Sequence, residues 1–140
     1  MTSPAKELQG AIVSRLKADA TVAALVEQRI YDHVPRSTTG DVSATFPFVG
    51  IANWQEISDD ADCINGFQIF VDIDCWSRSV GFPQVHDLAD AVRAALSDAE
   101  FALSANALVY FECRENRTFR DPDGLSSHAV LTFEAFVEQP

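Results

Sequence analysis

Carboxylates are the residues of this sequence with the most obvious capacity for chemistry. Asp72 and Asp74 alternate within an apolar segment, so on a β-strand they share one face. Two neighbouring carboxylates can act as general acid and base, but only in a dry cleft. A strand face that is open to water does not meet this condition. We therefore interpret the two residues as solvated, and keep an enzyme that uses Asp72 and Asp74 as a remote alternative.

The histidines and cysteines lack the spacing of a metal site. No HExxH motif occurs, and the histidines are far from one another and from any cysteine at zinc-site spacing: His33, His86 and His128. The cysteines form an odd set without a CxxC pair, and each lies in or beside an apolar stretch: Cys63, Cys75 and Cys113. We expect reduced, mostly packed thiols.

Other motifs that could build a site are incomplete. Asp60 and Asp62 begin like a calcium-binding loop, but the fifth and twelfth positions fall on Ile64 and Val71. The GxSxG, GxGxxG and GxxxxGK[ST] motifs do not occur, and the adjacent residues 126–128 cannot converge as a catalytic triad does. We therefore expect no catalytic residues, no metal and no cofactor.

The charge balance argues against binding to DNA or to acidic lipid. Ten Lys and Arg residues stand against 21 Asp and Glu residues, which gives a net charge of −11. Such a field repels phosphate. The one basic cluster is Arg114, Arg117 and Arg120, and on a regular strand a spacing of three alternates between faces. We expect salt bridges from these arginines, rather than a continuous phosphate track.

Length and composition predict one intracellular globular domain over residues 1–140. A chain of 140 residues with 47% hydrophobic residues can bury an ordinary core. We find no repeat and no linker. Lys6 and Glu7 interrupt the start of the chain, and no apolar run approaches the roughly 18 residues that a membrane span needs. Neither secretion nor membrane insertion is expected.

The first third of the chain reads as helical. Ser3 and Pro4 favour the start of a helix that continues to Lys17, and Asp19 can cap a short second helical piece. A brief extended segment is predicted for Arg29–Val34. The polar stretch Arg36–Thr45 has no apolar periodicity and is expected to form a projecting loop.

The remaining two thirds alternate between strands and one strong helix. Strands are predicted at Phe46–Ile57 and Phe67–Trp76, and a helix opens at Gly81 and Pro83 and carries an apolar stripe to Leu96. A final hairpin joins Leu108–Arg120 to Ser127–Glu138 through the turn Asp121–Gly124. The predicted fold class is α+β, a mainly antiparallel sheet of about four long strands with two main helices packed on one face.

The sheet face that the helices leave uncovered is the candidate functional surface. Strand alternation assigns to it a mixture of carboxylates and large aromatic side chains: Phe70, Asp72, Asp74, Trp76, Tyr110, Glu112, Glu134 and Phe136. One interpretation is a subunit interface or a channel wall, since aromatic residues are enriched in interfaces. The other is an ordinary solvated face whose aromatics stack across strands. The sequence does not choose between them.

Three stretches resemble the tail-completion, or tail-terminator, proteins of long-tailed phages and gene transfer agents. They are IVSRLKADATVAALVEQRIYDHVP within Ala11–Pro35, VDIDCWSRSVGFPQVHDLADAVRAAL at Val71–Leu96, and RTFRDPDGLSSHAVLTFEAFVE at Arg117–Glu138. The resemblance covers nearly the whole chain. Its motifs are patterns of strand, turn and helix, and it carries over no catalytic residues.

The resemblance implies a structural part of a virus-like particle. Such a protein would form a homo-hexameric ring on the head-proximal end of a finished tail tube, end tube polymerisation and join the tail to the neck. Its partners would be itself, the tail tube protein and a neck stopper or head–tail connector. It would be cytoplasmic during assembly and then lie at the tail–neck junction.

Two alternatives to the terminator role remain. A neck adaptor or stopper of the same assembly would also be small, acidic and ring-forming. A small α+β module could instead bind a ligand under its helices.

In a ring, the acidic uncovered face would line a channel through which DNA passes without specific binding, because carboxylates repel phosphates at short range.

Overall fold

The computed structural model describes residues 2–60, 64–97 and 101–140. In this part of the chain, three helices pack on one face of a five-stranded sheet of order β1-β2-β3-β5-β4. The elements are α1 (Pro4–Ala18), α2 (Ala20–Val26), β1 (Ile30–Tyr31), β2 (Phe48–Ser58), β3 (Asn65–Ser77), α3 (Pro83–Ser97), β4 (Ala107–Arg120) and β5 (Ser127–Gln139). The predicted α+β class is confirmed.

The sheet differs from the predicted one by a short additional strand. Ile30 and Tyr31, within the predicted extended segment, pair parallel with Val49 and Gly50 of β2. The described sheet is therefore mixed, with five strands rather than about four, although the four long strands pair antiparallel with one another. Alternation in a sequence marks an extended segment, but it does not reveal the direction in which so short a segment pairs.

Side-chain caps delimit the two N-terminal helices as predicted. The Ser3 hydroxyl accepts a hydrogen bond from the Lys6 amide, and Pro4 begins α1. The Asp19 carboxylate accepts bonds from the amides of Thr21 and Val22, so it caps α2 directly after α1 ends. Because one residue ends one helix and starts the next, the chain changes direction there without a linker. No helix of the described ranges is long and apolar enough to cross a membrane.

The core lies between the helices and one face of the sheet. Its members are aliphatic residues at helical spacing and at alternate strand positions, including Leu8, Ile12, Leu16, Leu88, Val92, Ile69, Val71, Ile73, Leu131 and Phe133. The core residues of β3 and β5 are thus the alternate positions that face the helices. Burial raises the pKa of the Cys75 thiol and, to a smaller extent, that of Cys113, and both are free. Cys63 and Asp62 lie outside the described residues.

The carboxylate of Glu7 joins α1 to the segment that leads into β4. It accepts hydrogen bonds from the Ser104 hydroxyl, from the amides of Ala105 and Asn106, and from the Asn106 side chain. Partial burial acts to raise the pKa of Glu7, but these bonds outweigh it and hold that pKa below its ordinary value. One ionised side chain thus satisfies several donors across nearly 100 residues of sequence.

We predict that Glu7→Gln lowers the melting temperature at neutral pH, because the amide loses the charge that strengthens these bonds. The matched control is Glu27→Gln, whose side chain is 79% exposed and meets only Arg29 among the described ion pairs, so it should change little. The measurement is thermal unfolding of both variants followed by circular dichroism. Equal shifts for the two variants would contradict the prediction.

Candidate functional site

All eight residues of the predicted surface lie on the sheet face opposite the helices, which we call the outer face. Cross-strand partners show this directly, since facing residues in a sheet share a side. Phe70 is opposite Glu134, Asp72 opposite Thr132, Trp76 opposite His128, and Tyr110 opposite Phe136. Glu112 and Asp74 are at the neighbouring same-face positions. This confirms where the residues lie; their role in an interface or channel stays a prediction.

Glu134 is the centre of a polar network on the outer face. Its Oε1 accepts a bond of 2.9 Å from Arg114 Nε, and its Oε2 accepts bonds from the Tyr110 hydroxyl and from Gln68 Nε2. Only 8% of Glu134 is exposed. The Arg114 and Tyr110 bonds lower its pKa from an ordinary 4.5 to about 2, and the same contact raises the pKa of Tyr110. The carboxylate is therefore an internal part of this face.

A β-bulge places Arg114 beside Glu134. The pairing of β4 with β5 shifts register between Cys113 and Glu115, so Arg114 is an extra residue in its strand. As a result Arg114 and Arg117 both lie on the outer face, where a regular strand would have separated them. The sequence-based assignment of alternating faces was wrong for these two arginines, because it assumed an uninterrupted strand.

The predicted salt bridges are present for Arg114 and Arg117, whereas Arg120 has no ion pair among the described residues and lies 4.5 Å from the Phe82 ring. Arg114 contacts Glu112 at 3.2 Å as well as Glu134, and Arg117 contacts Glu115 at 3.3 Å. Arg114 and Arg117 are thus engaged by carboxylates of their own face. Neither forms part of a continuous positive track that could follow a nucleic-acid backbone.

Asp72 and Asp74 do not share a cleft. Asp72 accepts bonds from the Thr132 hydroxyl at 2.7 Å and from Asn53, beside a shallow outer-face groove. Asp74 lies 3.2 Å from Nε2 of His128 and lines a different cavity. General acid–base catalysis by two carboxylates needs both at one reacting group. Asp72 and Asp74 therefore do not form the carboxylate pair that the remote enzyme alternative requires.

Aromatic rings stack across four strands at one end of the outer face. Trp76 lies on His128 with ring centroids 3.8 Å apart and nearly parallel planes, Phe48 stacks on the other side of Trp76, and Phe119 meets His128 edge-on. A second stack joins Tyr110 to Phe136. These contacts stabilise the sheet itself. The candidate surface predicted from the sequence did not include Phe48, Phe119 and His128. Which residues face one another across strands depends on the strand register, and a single sequence does not reveal that register.

A cavity of about 290 Å³ opens beside the aromatic stack, between the 36–45 loop and the turn that joins β4 to β5. Its walls include Arg36, Trp76 and Asp123. Arg78 crosses this region, with its guanidinium 4.1 Å from the Phe46 ring and Nε donating to the Ser126 hydroxyl. The predicted loop is closed on itself by a bridge between Arg36 and Val42. Across the described ranges, no three potential ligand side chains gather closely enough to hold a metal ion.

Comparison with known proteins identifies the family. The family model described as tail completion protein gp17 matches residues 10–138, most of the chain. A solved structure described as the virion of a native gene transfer agent particle contains a chain that superposes with a TM-score of 0.86. That chain is 28% identical, and the alignment covers 99% of both chains. No curated protein sequence matches.

The chain belongs to the tail completion protein gp17 family, and the resemblance found in its sequence is confirmed. It is therefore a tail-completion type of virion structural protein, of the kind found in phage tails and gene transfer agents.

We predict that Glu134→Gln destabilises the fold by about 1–3 kcal/mol, since Arg114 and Tyr110 would lose their charged acceptor on a nearly buried site. The control is Glu115→Gln, a half-exposed residue with one ion-pair partner, which should cost less than about 1 kcal/mol. Urea unfolding at pH 7 measures both. Similar values for the two variants would contradict the central position of Glu134.

Acid should remove the contribution of Glu134 in a defined pH window. Its pKa is depressed in the folded protein, so its stabilisation is present above the ordinary value of 4.5 and lost as the pH falls toward about 2. We predict that wild type loses more stability than Glu134→Gln between these limits. Urea midpoints measured at pH steps across the window test this, and parallel curves would refute it.

Proposed function

We propose that this protein forms a homo-hexameric ring that caps the head-proximal end of the tail tube, ends tube polymerisation and joins the tail to the neck. The observation that carries the proposal is family membership over nearly the whole chain, together with the likeness to a chain of a gene transfer agent virion. Its partners are further copies of itself, the tail tube protein, and a neck stopper or head–tail connector. It assembles in the cytoplasm and stays at the tail–neck junction of the particle.

The role is structural and needs neither catalysis nor a cofactor. Two features support this part of the proposal: the family is one of structural virion proteins, and Asp72 and Asp74 face different grooves. A ring component needs complementary surfaces rather than a reactive centre.

We assign the outer face to the channel wall. Acidic side chains outnumber basic ones there, with Asp72, Asp74, Glu112, Glu115 and Glu134 against Arg114 and Arg117. The arginines are held by glutamates, so they are not free to bind phosphate. Within the screening distance of about 8 Å, the remaining negative charge keeps DNA from adhering as it passes.

We predict that light scattering on the protein, alone or with polymerised tail tubes, gives the molar mass of a ring. Electron microscopy of the tubes should then show this ring on one end of the tube. Tubes polymerised in its presence should be prevented from growing at that end. A ring that ignores tube ends but binds the portal side would favour the neck stopper. A monomer that binds neither the tube ends nor the portal side, and whose melting temperature rises with a small ligand, would favour the binding module.

We predict that Asp72→Lys with Glu115→Lys slows DNA delivery by assembled particles, because the two lysines reverse the repulsion along the proposed channel wall. The matched control is Asp87→Lys with Asp90→Lys, which makes the same charge change at exposed positions of α3 on the other side of the sheet. Electron microscopy confirms assembly, and gene delivery is then counted. Unchanged delivery by the first variant would remove the channel-wall assignment.

A further inference from the structure

Within the described residues, the sheet ends in two strand edges whose outward backbone groups meet no further strand. On one side, β1 covers only Val49 and Gly50 of β2. No described strand lies beside the rest of β2, so Trp54–Ser58 is an open edge. On the other side β4 is the outermost strand, with β5 as its one described neighbour. An open edge is a template for pairing with another strand.

The two open edges differ along their length in how well they are protected. Charged side chains are a common protection against edge pairing. The second half of β4 has four of them within seven residues: Arg114, Glu115, Arg117 and Arg120. The first half, Ala107–Cys113, has only Glu112 as a charged residue, and the second register shift of β4 with β5 is a bulge at Val109, whose side chain is 55% exposed. The β2 edge has only Glu56, and its Ile57 is 42% exposed.

The weakly protected parts of the two edges lie at the same height of the sheet. The strand register can be followed from one edge to the other through β3 and β5. It connects Tyr110 through Phe136 and Gln68 to Ile57, and Cys113 through Phe133 and Val71 to Trp54. A rotation about an axis along the strands keeps heights, so it brings the β4 edge of one copy level with the β2 edge of the next.

The strand directions also agree. Each long strand is antiparallel to its neighbour, so β2 and β5 run one way and β3 and β4 the other. The β4 strand of one copy therefore meets the β2 strand of the next in antiparallel orientation. Antiparallel strands exchange well-aligned backbone hydrogen bonds.

The place of β1 explains why only half of β4 would take part. Arg117 is level with Gly50, where β1 already occupies the edge of β2. A strand that pairs with Trp54–Ser58 must diverge before it reaches β1. The bulge at Arg114 lies just before this height, and a bulge bends its strand. The charged half of β4 would then remain in solvent.

We propose that Trp54–Ser58 of one copy pairs antiparallel with Ala107–Cys113 of a second copy, so that the sheets of neighbouring subunits join. The contact is heterologous, because two different edges of the same chain meet, and repetition by rotation closes it into a ring. This inference rests on the proposed ring and identifies its subunit contact. The occupant is a second copy because one chain carries both edges, level and correctly directed.

The first test introduces a charge at each exposed edge residue. Ile57→Lys and Val109→Lys should each abolish the ring in light scattering, because each places an unpaired ammonium group at the joined edges. The matched controls are Val80→Lys and Leu125→Lys, at exposed apolar positions in the turns outside the two edges, which should keep the ring. Far-UV circular dichroism verifies the fold of all four.

The second test locates the contact directly, and remains decisive if a lysine variant fails to fold. Ile57→Cys and Val109→Cys are combined in one chain that also carries Cys63→Ser and Cys113→Ser. Mild oxidation of the assembled protein should give a ladder of disulfide-linked multimers. The chain that pairs Ile57→Cys with Phe119→Cys, on the charged half of β4, should stay without a ladder.

The outcomes separate the contact from the function. A ring in wild type that persists in Ile57→Lys and Val109→Lys, with no ladder from the 57/109 pair, overturns the edge contact and leaves the proposed ring intact. A wild type that forms no ring, alone or with tail tubes, overturns the proposed function and the contact with it. Loss of the ring in both edge variants, with a 57/109 ladder, establishes the contact.

Discussion

The unbroken antiparallel pairing of β3 with β5 is the constraint on which the rest of the structure depends. Thirteen residues of each strand face one another from Asn65 opposite Gln139 to Ser77 opposite Ser127. Because side chains alternate in a strand, this one register decides which residues of both strands meet the helices and which form the outer face. A slip of β3 by one residue would bring Asp72 toward the core and turn Val71 to the outer face.

The same pairing places charged residues on the outer face, where neighbouring side chains must supply their hydrogen-bond partners. Glu134 is opposite Phe70 in the middle of the sheet and is almost fully buried by its neighbours. A nearly buried carboxylate is tolerated when donors surround it. Arg114 reaches it through a bulge in β4, and Tyr110 reaches it from the adjacent strand. The polar groups of the outer face are consequently paired mostly with one another, which is compatible with the proposed channel wall.

The sequence predicted the features that follow from the periodicity of apolar residues. It did not predict the features that depend on how the strands pair. Alternation in β3, β4 and β5 placed all eight candidate residues on one face, and the caps at Ser3 and Asp19 identified both N-terminal helices. The pairing of Ile30 and Tyr31 with β2 was not predictable, because two residues carry no period. Nor was the position of Arg114, since a bulge changes the face of every residue that follows it in the strand. The stack of Trp76 on His128 depends on register in the same way.

The two edges of the sheet are each protected along only part of their length. A uniformly charged β4 would protect its whole edge, yet the charges cluster from the bulge at Arg114 onward and leave the first half, which contains the bulge at Val109, with only Glu112. On β2 the short strand β1 protects the beginning of the edge and leaves its end. The charged half of β4 is level with the part of β2 that β1 covers. The unprotected parts of the two edges are therefore level with each other as well. The protected parts of both edges oppose disordered edge-to-edge aggregation, while the unprotected parts permit one specific contact. A closed ring requires one such contact that is repeated by rotation.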